Sequence, residues 1–241
     1  MRIQRYMSQC AVASRRRAEE MIKQGRVSVN DQVVTAMGTT VEGGDVVKVD
    51  GRVIRPIREK TTIIYNKPAG LVCSVSDEKG RQTVVDAVKS LGQRVYPVGR
   101  LDMWTEGLLL MTNDGELALL MTHPRYHVTK TYVATVKSKI SDRAIAKLRS
   151  GVMLEDGMTR PARVRRLPPA EDGRHRIQLQ ITEGRNRQVR RMLETVGAPV
   201  HHLVRTHLGP LSLQELRVGQ WRKLTEEETA VLKRYNEQSR W

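Results

Sequence analysis

A single acid, Asp102, stands between Leu101 and Met103, after Gly99-Arg100 and ahead of the apolar run Leu108 to Met111. Bounded by Gly107 and Asn113-Asp114-Gly115, that run predicts a short buried strand. A carboxylate beside a core strand is costly unless it is paired or used. Two readings follow. Either Asp102 caps a turn and pairs with Arg100, or it is used chemically. The local residues alone favour the first. Asp102 and Glu106 together also have the composition of a glycosidase pair, but that chemistry asks for an acidic cleft around a neutral sugar, not an excess of arginine.

Three further groups carry reactive or binding side chains. Lys130-Thr131-Tyr132 opens a predicted strand, after the loop His123-Pro124-Arg125-Tyr126-His127. A phenol offers a face for a planar base and a hydroxyl for a hydrogen bond, although strands favour tyrosine in any case. Glu183-Gly184-Arg185-Asn186-Arg187-Gln188-Val189-Arg190-Arg191-Met192 joins a strand to an amphipathic helix, which puts Arg185 at a junction of the kind that faces ligands. Arg187, Arg190 and Arg191 fall away from the apolar face of Val189, Met192 and Val196 and suit a phosphate track. The third group is His202-Leu203-Val204-Arg205. No metal site is expected: Pro124 separates His123 from His127, and His201, His202 and His207 have no thiol or carboxylate cluster beside them. No P-loop and no GxGxxG is present.

The elements that must hold these groups are legible from periodicity and punctuation. Ser14 caps a predicted helix to about Gln24, with Ala18, Met21 and Ile22 on its apolar face and Gly25 at its stop. Arg15, Arg16 and Arg17 fill its first turn, where the helix dipole disfavours cations, so an external anion is indicated. Val27 to Val34 and Val46 to Val49 read as short strands joined by turns. Residues 50–60, with charged side chains and Pro56, read as a linker. Beyond it come strands at 62–65 and 71–75 and a helix from Thr83 to Gly92. A helix near Asn113 or Asp114 and a strand at 132–136 follow. Next are a helix from Ser141 to Gly151, a strand through Ile177, Leu179 and Ile181, and a helix from about Asn186 to Gly197. A last helix starts at the capping box Thr225 to Glu228. This order predicts an α+β fold.

The chain has 241 residues, room for one or two domains, with 39% hydrophobic residues to form a core. Its net charge of +16 selects a polyanionic partner. No apolar stretch approaches the ~20 residues that span a bilayer, and the N-terminus lacks the apolar core of a secretion signal. A cytoplasmic protein with no membrane partner is expected. Cys10 and Cys73 form no CxxC and read as reduced thiols. Phe is absent.

Residues 99–115 resemble the Gly-Arg-Leu-Asp motif of RNA pseudouridine synthases, in the branch that includes RsuA, RluB and RluF. Lys130-Thr131-Tyr132, Glu183 to Met192 and Asn66-Lys67-Pro68-Ala69-Gly70 are similar to that family's other motifs, in the same order. The segment Ser14 to Val34 resembles the small RNA-binding module of ribosomal small-subunit protein four. The resemblance spans about residues 3–223. It implies that Asp102 is catalytic, that Tyr132 lies against the target base, that Arg185 pairs with the acid, and that Leu203 sits under the reacting nucleotide. Arg100 is expected at the substrate. Arg15, Arg16, Arg17, Lys23, Arg26, Arg187 and Arg190 are expected on RNA. Lys67 and its neighbours are expected to fix a turn. The implied organisation is an α/β RNA-binding module at 1–48, a linker at 49–60, and a catalytic domain at 61–241 on a mixed, mainly antiparallel sheet with flanking helices.

The implied activity is isomerisation of a uridine in ribosomal RNA, without cofactor or metal, by a monomer. Thr105 to Leu110 looks closer to the RluB and RluF side, which points to large-subunit RNA. A small-subunit RNA target and a non-catalytic ribosome-assembly role are the alternatives. Met103-Trp104 departs from the family pattern, where smaller or polar residues are commoner.

Overall fold

The computed structural model describes residues 1–57 and 59–238 and separates into two compact units, residues 1–60 and 61–241. In the first unit, helices α1 (Ile3–Gln9) and α2 (Arg15–Lys23) cover strands β1 (Val27–Val29), β2 (Gln32–Val33), β3 (Val47–Val49) and β4 (Arg52–Val53), which lie in the order β2-β1-β3-β4. Ile3, Met7, Met21, Ile22, Val27 and Val47 make a common core. Ser14 Oγ accepts the Arg17 N–H at 3.2 Å, the expected cap of α2. Helix α1 was not foreseen. Ile3 and Met7 are one turn apart, too few to signal a helix by themselves. Strand β4 lies inside the stretch read as linker. It pairs antiparallel with β3, and Ile54 packs on the same core.

The second unit is built on β5 (Thr62–Lys67), β6 (Tyr96–Pro97), β7 (Glu106–Thr112), β8 (Lys130–Val136), β9 (Met153–Leu154), β10 (Gly157–Met158), β11 (Arg163–Leu167), β12 (His175–Ile181), β13 (Val200–Leu208), β14 (Leu211–Ser212) and β15 (Trp221–Lys223). Helices α3 (Val84–Ala87), α4 (Gly115–Thr122), α5 (Asp142–Ser150), α6 (Gln188–Thr195) and α7 (Glu226–Gln238) are interspersed. The main sheet runs β11-β12-β8-β13-β7-β5-β15, with β14 on β13 and β6 on β7, while β9 and β10 form a separate hairpin. Every pair in the main sheet is antiparallel except β13 with β7, where Val204 aligns with Glu106 and Arg205 with Gly107. The sheet is therefore mixed and mainly antiparallel.

Strand β7 is buried on both faces. Leu109 and Met111 join the core that includes Val189 and Met192 of α6, while Leu108 and Leu110 join Met121 of α4 and Leu232 of α7. This accounts for its unbroken apolar run. At the parallel seam, Gly107 has φ +103°, and a Cβ there would lie 2.3 Å from the Arg205 carbonyl oxygen. Only glycine fits.

Residues 71–75, read as a strand, form a loop whose one bridge joins Val72 to Thr83. Leu71 and Cys73 still point into the core, so the alternation is real while no neighbouring strand continues the ladder. Among the described residues, no helix is long and apolar enough to cross a membrane.

Candidate active site

The site forms where the loop before β7 meets the start of α6. Asp102 closes its own turn. Its Oδ1 accepts the Trp104 N–H at 3.0 Å and its Oδ2 accepts the Thr105 hydroxyl at 2.6 Å. The turn-capping role is therefore genuine, but the partner cation is not Arg100, which is exposed. Nor is it Arg185. The guanidinium at the acid belongs to Arg190 of α6, with Nε 3.4 Å from Asp102 Oδ2 and Nη2 donating to the Trp104 carbonyl at 2.9 Å. Glu106, the other half of the glycosidase-like pair, contacts His202 Nε2 at 3.1 Å.

Lys67, at the end of β5, is wholly buried. Its ammonium donates to the carbonyls of Pro68 at 2.9 Å, Met103 at 3.1 Å and Thr105 at 3.0 Å. Burial lowers its pKa from the ordinary value, opposed by the nearby Cys73, Asp102 and Glu106. Its role exceeds the expected turn. The residue ties two loops together and sets the backbone on which Asp102 sits.

Arg185 lines the cleft but makes other contacts than the expected one. Its Nη1 donates to the Gly157 carbonyl at 2.8 Å and lies 3.3 Å from Asp156 Oδ1, and its Nε lies 3.4 Å from Glu183 Oε2. It thus anchors the β9–β10 hairpin. Arg191 holds the same Asp156 at 2.9 Å, and together these guanidiniums pull the Asp156 carboxyl down to about 2. The corner at Glu183 to Arg185 is fixed from inside by Gln188, whose Oε1 accepts the Arg185 N–H at 3.0 Å.

Asp102, Tyr132, Arg185 and Leu203 line one cleft, with Arg100 and Arg187 on its walls. Tyr132 is 8% exposed, and Leu203, on the adjacent strand, is buried. The cleft thus joins an apolar floor and an aromatic ring to a carboxylate, under a rim of arginine. Arg190 and Thr105 reach the acid from its sides. Sequence reasoning missed the part of Thr105, although a hydroxyl three residues after an aspartate is a recognisable turn signal.

In the first unit, Arg15, Arg16 and Lys23 are exposed. Arg17 pairs with Glu20 at 2.6 Å. Arg26 makes a two-pronged contact with Asp50 at 2.8 and 2.6 Å, which uses its fork to brace the unit. Among the described residues, no group of three or more His, Cys, Asp or Glu is placed to hold a metal.

Comparison with known proteins identifies the family of the chain. The profile of the RNA pseudouridylate synthase family matches residues 61–195, and that of the S4 domain matches residues 1–47. The chain is 44% identical to the ribosomal large subunit pseudouridine synthase B of Bacillus subtilis, over 96% of this chain and 95% of that protein. It is 41% identical to an RNA pseudouridine synthase of Aquifex aeolicus, over 96% and 93%. A crystal structure of a pseudouridylate synthase superposes with a TM-score of 0.68 at 30% identity, covering 96% of this chain and 99% of that one. The chain belongs to the family of RNA pseudouridine synthases, which are isomerases, and carries an S4 domain ahead of its synthase region.

Proposed function

We propose that this chain converts a uridine of large-subunit ribosomal RNA to pseudouridine, with Asp102 as the catalytic residue. The observation that carries the assignment is the placement of the Asp102 carboxylate, held by Thr105 and Arg190, in a cleft shared with Tyr132 and Leu203. The substrate follows from relatives named large subunit pseudouridine synthase B, two of them 44% and 39% identical to this chain over 96% of its length. The S4 domain and the net charge of +16 fit RNA as the partner. The chain acts as a monomer in the cytoplasm on this reading.

The reaction breaks the bond from N1 of the base to C1′ of the ribose, turns the base over and joins C5 to C1′. C5 loses a proton and N1 gains one, so no atom is added or removed overall. The uridine leaves the RNA stack at a cost of a few kcal/mol, offset by phosphate contacts from Arg100 and Arg187 at the rim and from Arg15, Arg16 and Lys23 on the S4 domain. Arg17 and Arg26 add the guanidinium N–H groups that Glu20 and Asp50 do not take up. Three donors aimed at Asp102 fit its acceptor-only, ionised form. That carboxylate either attacks C1′ or removes a sugar proton to give a glycal. The Tyr132 ring and the Leu203 side chain hold the detached base between apolar surfaces while it turns.

The test is incubation of the full chain with uridine-labelled transcripts of large-subunit and small-subunit RNA, followed by nucleoside analysis and mapping. Pseudouridine at one large-subunit position is expected. Asp102→Asn should abolish product while keeping RNA affinity within about threefold of the parent. Product only on small-subunit RNA would overturn the substrate, and substantial turnover by Asp102→Asn would overturn the assignment of the acid.

A further inference from the structure

Trp104 lies between Asp102 and Thr105, which line the cleft, and its own side chain is exposed. It is 60% exposed, in a chain whose aromatic content is only 4%. Its neighbours Asp102 and Thr105 line the cleft and Trp104 does not, so its ring lies outside the space assigned to the reacting uridine. The backbone at this residue is pinned twice. The Trp104 N–H donates to Asp102 Oδ1 at 3.0 Å, and its carbonyl accepts from Arg190 Nη2 at 2.9 Å. Lys67 holds the carbonyls of the residues on either side, Met103 and Thr105.

A single exposed apolar side chain is ordinary on a protein surface. This one differs in two respects. Indole is the largest apolar side chain, and its attachment point is already ordered by the contacts that hold the proposed catalytic acid. A rigid aromatic on an ordered backbone loses little freedom when a flat partner covers it. Extruding a nucleotide from an RNA strand exposes a face of each base beside it. Arg100 and Arg187 on the cleft walls supply the cations that a backbone entering and leaving the cleft requires.

Building on the rRNA pseudouridylation proposed above, we propose that Trp104 is a stacking platform for a nucleobase flanking the extruded uridine, and that it contributes to the choice of site. The ligand is a base of the substrate RNA. Stacking accepts any base, and a purine covers more of the indole than a pyrimidine does. The platform moves together with the acid, because the Trp104 N–H is one of the donors that orient Asp102. Seating the flanking base therefore registers the extruded uridine against the carboxylate.

The experiment compares the full-length parent, Trp104→Ala and Trp104→Phe on a large-subunit RNA fragment that the parent binds. Kd is read by anisotropy of a labelled RNA, and KM and kcat are read from product formation. Trp104→Ala is expected to raise Kd and KM about tenfold or more, and Trp104→Phe to restore most of the loss. A series of RNAs with one abasic nucleotide at each position of the bound fragment in turn supplies the decisive readout. At the stacking position the abasic RNA should weaken binding by the parent and leave Trp104→Ala unaffected. Unchanged Kd in Trp104→Ala, or additive losses at every abasic position, overturns the proposal. So does a change of oligomeric state with unchanged RNA affinity, which would assign the ring to a contact between copies of the chain. A parent that shows the abasic signature but forms no pseudouridine would overturn the enzymatic reading and leave the platform supported.

Discussion

The Arg190 guanidinium and the Asp102 carboxylate meet across 88 residues of sequence, with Nε 3.4 Å from Oδ2. The same guanidinium holds the Trp104 carbonyl, so one side chain fixes both the acid and the turn that carries it. Arg190→Ala is therefore expected to lower the single-turnover rate by about 10- to 100-fold, the loss associated with a charged hydrogen bond of ~1.5–3 kcal/mol. Arg185→Ala should act differently. It frees the β9–β10 hairpin, and protease cleavage near Asp156 should rise more than the chemical rate falls. Equal losses of rate in the two variants would refute this division of labour.

Lys67 sets the floor of the same turn from inside the protein. Lys67→Met keeps the bulk of the side chain and leaves three carbonyls without their donor. We expect a loss of stability on the order of 3 kcal/mol, seen as a lower denaturant midpoint. The fraction that remains folded should still have little activity, because the Asp102 turn has lost its anchor.

Lys130, at the start of β8, has its pKa pushed down to about 8, chiefly by burial and also by Arg205. In the unfolded chain it returns to the ordinary lysine value. Between these two values the unfolded state binds more protons, so this residue makes stability rise with pH from about 8 to about 10.5. Below pH 8 the folded state carries the full penalty of a buried charge. Chemical denaturation at pH 7 and pH 10 should show a smaller rise in stability for Lys130→Met than for the parent. Identical rises would exclude Lys130 as their source.

Gly107→Ala probes the parallel seam. The added methyl would meet the Arg205 carbonyl at 2.3 Å, on a backbone with φ +103°. Both effects oppose folding, and a loss of about 3 kcal/mol or more is expected. A variant with parent-like melting would show that the seam relaxes.

The relation between sequence and structure divides by distance along the chain. Ser14, Thr83, Ser141 and Thr225 cap helices as their spacing predicts. Ile177, Leu179 and Ile181 alternate on a real strand, and Val189, Met192 and Leu193 face the core from α6. Each of these signals acts within about four residues, where a hydrogen bond or a packing face is decided by neighbours in sequence. Asp102 belongs to this class too. Its carboxylate caps its own turn whatever its partner.

The strand order decided the rest. A parallel seam between β13 and β7 brings Gly107 against Arg205, and only that packing shows why glycine is required. The linear motif sets Arg185 where strand passes into helix, and the resemblance assigns it to the acid, while Arg190 lies on the helix beyond and reads as part of a phosphate track. The three-dimensional path sends Arg185 to the hairpin carbonyls and Arg190 to the acid. Lys67 reads as part of a turn until the fold buries it beneath residues 103–105. Residues 71–75 alternate like a strand, yet no neighbour completes their ladder. The amino-acid sequence by itself determined the caps, the apolar faces and the turn that Asp102 closes, since those depend on adjacent residues. Which cation meets the acid, and which backbone holds it, were decided by tertiary structure, since such contacts join residues whose separation along the chain carries no information about their separation in space.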